Sequence, residues 1–179
     1  MTPPSARTPF VVVAGPLAAG KSAVSRRLAD GLRADGHQLA LVELDQIADM
    51  ARPTLPDWAD AHRIFASVTA RWLEAGLDLV IAESVSDREE HERVLRSVPA
   101  GTPVLTVVLD CDVDTALARA QSDPSRGLSR DEDFLRRAHA RWAEQLPQIP
   151  ADLLLDSDTT SIDESVQRIS ALVEERLER

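Results

Sequence analysis

Residues 10–22 read FVVVAGPLAAGKS, and this stretch constrains the fold more than any other in the chain. Phe10–Ala14 is a short, continuous, largely β-branched run, the signature of a strand buried on both faces. Gly15, Pro16, Leu17, Ala18, Ala19, Gly20, Lys21 and Ser22 then match G-x-x-x-x-G-K-S in full, and a helical pattern follows directly. A loop of this length between strand and helix wraps backbone N–H groups around a phosphate. The helix behind it, through Ala23, adds its own N-terminal donors and partial positive charge. Gly15 and Gly20 allow backbone angles and close approaches that a Cβ would obstruct. In this motif the lysine, Lys21, reaches the outer phosphates of a nucleoside triphosphate, and the Ser22 hydroxyl ligates Mg2+.

Lys21 is also the only lysine; the other nineteen basic residues are arginines. A coding bias towards arginine explains the rest of the surface. Its failure at one position marks a place where a compact ammonium fits and a planar guanidinium does not.

Downstream, apolar runs alternate with helical patterns. QLALVEL (38–44) reads as a second strand, LDLVIAE (77–83) as a third, TPVLTVVLD (102–110) as a fourth and ADLLLD (151–156) as a fifth. Helices are expected near 21–36, 58–76, up to 98, 114–121, 131–146 and 161–178, with a proline-containing loop from about 48 to 57. This alternation predicts an α/β fold: a five-stranded parallel sheet with helices on both faces, a three-layer architecture. Residues 1–9 read as a disordered leader and 10–179 as one domain.

A net charge of −10 argues against nucleic acid or an anionic membrane as partners, so any bound anion needs a local cluster of donors. Cys111 is the sole cysteine, which rules out an intrachain disulfide and fits a cytoplasmic location. No segment has the apolar length of a signal peptide core or a membrane span. The sequence leaves the oligomeric state open.

A GTPase would need N/T-K-x-D, but the chain has no asparagine and its one lysine lies in the loop. At 179 residues it is short for a motor or an AAA-type ATPase. With the loop at 15–22, an acid after strand two, RWLEAGLDLVIAES before the end of strand three and VVLDCDVDTALARAQSDPSRGLSRD after strand four, the chain resembles the small-molecule P-loop kinases. That group includes chloramphenicol phosphotransferase, shikimate kinase, adenylylsulfate kinase and zeta-toxin-like kinases. The resemblance implies an ATP- and Mg2+-dependent transfer of the γ-phosphoryl group to a hydroxyl of a metabolite or antibiotic. Transfer to a nucleoside or nucleotide, and a nucleotide-binding regulatory or toxin component with little turnover, are the alternatives.

Asp45, at the rim where open α/β sheets bind ligands, is the candidate catalytic base. Glu83, at the end of strand three, is the candidate acid near Mg2+, although this place more often holds Asp in related proteins. Arg126 and Arg130 flank Gly127 in a polar segment, about 123–131, expected to act as a lid that brings positive charge over the transferred group. The resemblance places Arg119 beside the adenine or the phosphates. It also assigns acceptor binding to the 46–72 region, where Arg52, His62 and Arg63 are candidates, with Ser84 nearby after strand three.

Overall fold

The structure is a computed structural model that describes residues 8–54 and 57–177. Five strands, β1 (Phe10–Ala14), β2 (Leu39–Glu43), β3 (Leu79–Val85), β4 (Val104–Asp110) and β5 (Leu153–Asp156), form one parallel sheet in the order β2-β3-β1-β4-β5. Seven α-helices accompany them: α1 (Lys21–Ala34), α2 (Leu44–Asp49), α3 (Trp58–Leu73), α4 (Arg88–Ser97), α5 (Val113–Ser122), α6 (Glu132–Gln145) and α7 (Ile162–Leu177).

The period of two along the strands divides the core. Phe10, Val12 and Ala14 face a cluster completed by Ala61 and Phe65 of α3, Val94 of α4 and Trp142 of α6. Val11 and Val13 face the other side, where Val24 and Leu28 of α1 meet Ile169 and Val173 of α7. These are the expected three layers. β1 lies at the centre of the sheet and is buried from end to end, so the phosphate-binding loop hangs from the most shielded strand.

Several element boundaries depart from the sequence pattern. β2 stops at Glu43 and a helix begins at once, where a strand to 44 and then a loop were expected. Leu44, Ile47 and Ala48 are spaced for one helical face and pack into the core, and that spacing wins over the pull of the prolines beyond. β5 is two residues shorter than its apolar run suggests. Residues 1–7 of the expected leader lie outside the described residues. Thr8 and Pro9 belong to the fold: the Thr8 hydroxyl donates to the Leu77 carbonyl at 2.8 Å, and the Val80 amide donates to that of Pro9 at 3.0 Å. Among the described residues, no helix is long and apolar enough to cross a membrane.

Candidate active site

The phosphate-binding loop is set by contacts a side chain would break. A Cβ on Gly15 would lie 2.0 Å from the carbonyl oxygen of Leu109, so only glycine lets the loop leave β1 this close to β4. Gly20 has φ +93° and caps α1 from the left-handed region. A glycine cap has no side chain to offer the first turn of α1, and that turn contains no acid. The donors at Lys21, Ser22 and Ala23, which no helical carbonyl can reach, are thus left for an external anion.

Lys21 is 8% exposed, and its Nζ donates to the carbonyls of Gly15 at 2.9 Å and Pro16 at 2.8 Å. Burial pushes its ammonium below the usual lysine range, and nearby Glu83, Glu90 and Asp45 work in the opposite direction. The Ser22 hydroxyl donates to Glu83 Oε2 at 3.2 Å, which brings the expected metal-binding pair together. Burial raises the Glu83 carboxyl above its ordinary value, with Lys21 pulling it back. Among the described residues, no group of three or more His, Cys, Asp or Glu side chains could hold a metal ion unaided. One buried acid and one hydroxyl suit Mg2+, which is usually held by few protein ligands together with substrate phosphates and water.

Asp45 sits in the first turn of α2, two residues past the end of β2. It is exposed and close enough to influence both Glu83 and Lys21, and no partner among the described residues takes its carboxylate. Ser84 follows Glu83 and is half-buried. Arg52 stacks over the Trp58 ring, 5.3 Å from its centroid, and pairs with Asp49. His62 lies 6.3 Å from the same ring and binds Glu90 Oε1 at 3.0 Å. Arg63 lies on the exposed side of α3 and pairs with Asp60, away from this cluster.

The segment from 123 to 131 joins α5 to α6 and contains a short 3-10 turn, Gly127–Arg130. Its two candidate arginines differ. Arg126 is paired with Asp123 at 3.3 Å, whereas Arg130 is exposed and has no partner among the described residues. Arg119 donates to the hydroxyl and carbonyl of Ser157 at 2.9 and 2.8 Å, tying α5 to the loop after β5.

Sequence reading missed three side chains here. Glu90 and His91 sit in DREEHER, which composition presents as a solvated face. Yet Glu90 Oε2 accepts from the Ser86 amide and hydroxyl, and His91 is 2% exposed. Burial raises the Glu90 carboxyl, but the hydrogen bonds from His62 and Ser86 outweigh it and leave the group below its ordinary value. The spacing of His91 and Val94, the two buried residues of α4, was the available signal. The third, His139, places its Nε2 2.9 Å from the Leu17 carbonyl across 122 residues of sequence, and no local pattern announces it. Cys111 packs at the core edge, where burial pushes its thiol up to about 11.

A family model described as AAA domain matches residues 10–149. The chain belongs to that family. Shikimate kinases of two strains of Xanthomonas oryzae pv. oryzae are 28% identical over 176 residues, covering 90% of this chain and 89% of theirs. APS kinase of Mycobacterium tuberculosis, solved with AMPPNP and APS, has a TM-score of 0.72 at 23% identity and covers 94% of this chain and 98% of its own. Shikimate kinase of Acinetobacter baumannii, solved with shikimate, has a TM-score of 0.63 at 19% identity, covering 94% of each chain. The fold is therefore that of the small P-loop kinases. The length of the chain pointed away from an AAA-type ATPase, yet the family model that matches is described as AAA domain.

Proposed function

We propose that this AAA-family chain is a cytoplasmic kinase that transfers the γ-phosphoryl group of ATP to a hydroxyl of a small molecule, with Mg2+. The observation that carries this reading is the combination at one rim of a nucleotide-type loop and a free carboxylate. Lys21 and the uncapped start of α1 are arranged for phosphates, while Asp45, unpaired among the described residues, stands in the first turn of α2 after β2, near enough to act on Lys21. A protein that only stored nucleotide would have no use for the second feature. Nucleotide-bound and acceptor-bound relatives of the same fold support the reading.

The residues divide the work. The acceptor oxygen attacks the γ-phosphorus, its proton passes to Asp45, and the bond to the bridging oxygen breaks to release ADP. Lys21 holds negative charge on the phosphates, and Arg130 and Arg126 come over the transferring group from the 123–131 segment. Arg130 is free to do so at once, whereas Arg126 must first leave Asp123. Arg119, through its hold on Ser157, shapes the side of the site at the end of β5. Ser22 and Glu83 would hold Mg2+, which when bound neutralises charge on the phosphate oxygens. Arg52, His62 and Ser84 line the acceptor side, and Arg63 contributes only if α3 turns.

Labelled-ATP transfer across a panel of small hydroxyl compounds tests the proposal. A phosphorylated product is expected, with Asp45→Asn slowing its formation by about 10²–10⁴-fold while ATP still binds. Tight ATP binding with neither transfer nor hydrolysis across the panel would overturn it in favour of a regulatory nucleotide-binding protein.

A further inference from the structure

We propose that His139 is a positioning residue for nucleotide binding: by holding the Leu17 carbonyl, it turns the next peptide N–H towards the phosphates. The inference rests on the reading of 15–22 as the nucleotide loop. His139 is 8% exposed and lies on the inward face of α6 with Leu135 and Trp142, the other two buried residues of that helix. All three side chains reach the rim of the sheet around the loop. Leu135 packs with Ala18, His139 Nε2 lies 2.9 Å from the Leu17 oxygen, and Trp142 Nε1 donates to Asp110 Oδ1 at 3.2 Å. A carbonyl can only accept, so Nε2 carries the proton.

The geometry of a trans peptide supplies the rest. Its C=O and N–H point in opposite directions, so pinning the Leu17 carbonyl to α6 aims the Ala18 N–H away from α6. Ala18 then turns the chain at φ +60°, a left-handed conformation that a residue with a Cβ adopts only when its surroundings impose it. Those surroundings are identifiable: the Ala18 methyl is 7% exposed and packs with Ala116, Leu117 and Ala120 of α5 besides Leu135.

The loop's first three carbonyls are therefore all engaged by side chains, and that of Leu17 is the one held from α6. Gly15 and Pro16 are bound by Lys21, and Leu17 by His139. Among the described residues, none accepts from the N–H groups of Ala18, Gly20, Lys21, Ser22 or Ala23. Engaged carbonyls and unpaired amides make an anion cradle, and His139 is the α6 side chain that hydrogen-bonds it. Because α6 begins directly after the 123–131 segment, the helix that carries this segment also braces the loop.

The test measures MgATP affinity by calorimetry for the wild type, His139→Leu and His139→Gln, with melting temperatures in parallel. Glutamine can place an amide N–H near the position of Nε2; leucine fills the space without a donor. Leucine should weaken MgATP binding about tenfold, and glutamine should restore it to within about threefold of wild type. Equal binding by wild type and His139→Leu overturns the inference, as does a glutamine variant no better than leucine. A wild type that fails to bind MgATP sinks the nucleotide reading itself, a separate outcome. If His139→Leu does not fold, the 15N spectrum of wild-type His139 decides. An Nε2–H tautomer whose shift responds to MgATP supports the role, and an Nδ1–H tautomer or a silent ring overturns it.

Discussion

Among the described residues, five helices close their own N-termini, and α1 does not. Asp57, Asp87, Asp112 and Asp131 each accept from a first-turn amide of α3, α4, α5 and α6. At α7, Ser161 and Glu164 exchange hydrogen bonds as a capping box. The short α2 has no side-chain cap but carries Asp45 in its first turn. Among the described helices, only α1 starts on a glycine with neither a capping side chain nor an acid behind it. The same physics that stabilises the other helices has been left incomplete at one place, and a negatively charged ligand is what completes it.

The comparison can be attacked at its strongest point with Lys21→Arg. One ammonium nitrogen reaches two carbonyls in a buried setting, and a guanidinium cannot reproduce that arrangement, so transfer should fall by about 10²–10³-fold with the fold intact. Near-normal activity would make the solitary lysine a coincidence. Ala23→Asp supplies α1 with the acid it lacks. The apo protein should gain about 0.3–1 kcal/mol in a urea titration while MgATP affinity drops about tenfold or more, two effects of opposite sign from one carboxylate. Stability and affinity moving together would sink the comparison. Ser161→Ala is the reverse control: about 1 kcal/mol of stability should be lost with the MgATP dissociation constant unchanged.

Glu83→Gln gives the smallest and most pH-dependent effect. Because the folded-state value of Glu83 is raised, its contribution to stability is present below the unfolded carboxyl value and is lost as pH rises through the folded one. The glutamine variant has no such loss. Its stability relative to wild type should climb between about pH 4 and neutrality, as read from denaturation midpoints, while Mg2+-dependent ATP binding weakens.

What could be read from the sequence follows how far apart the interacting residues are. The loop, the caps and the strand–helix alternation are local, so Gly15 to Ser22 and the five strands were visible directly. The pairing of Ser22 with Glu83 was reachable because the motif puts Ser22 at the start of α1 and the apolar run puts Glu83 near the end of β3, although β3 continues to Val85. The cluster of Ser86, Glu90 and His62 was not, since α3 and α4 must pack before its members meet. In α4 the charge-rich composition hid the inward-facing His91 and Val94. Likewise Arg126 and Arg130 both stood as lid candidates from the motif, and only the fold shows that Asp123 already holds the first.

The burial of β1 has a kinetic consequence. An amide in the central, fully shielded strand exchanges with solvent only when the whole domain opens, and the loop that begins at Gly15 is wedged against β4. If the exposed 123–131 segment closes over bound nucleotide as proposed, deuterium uptake there should track nucleotide release while β1 stays silent.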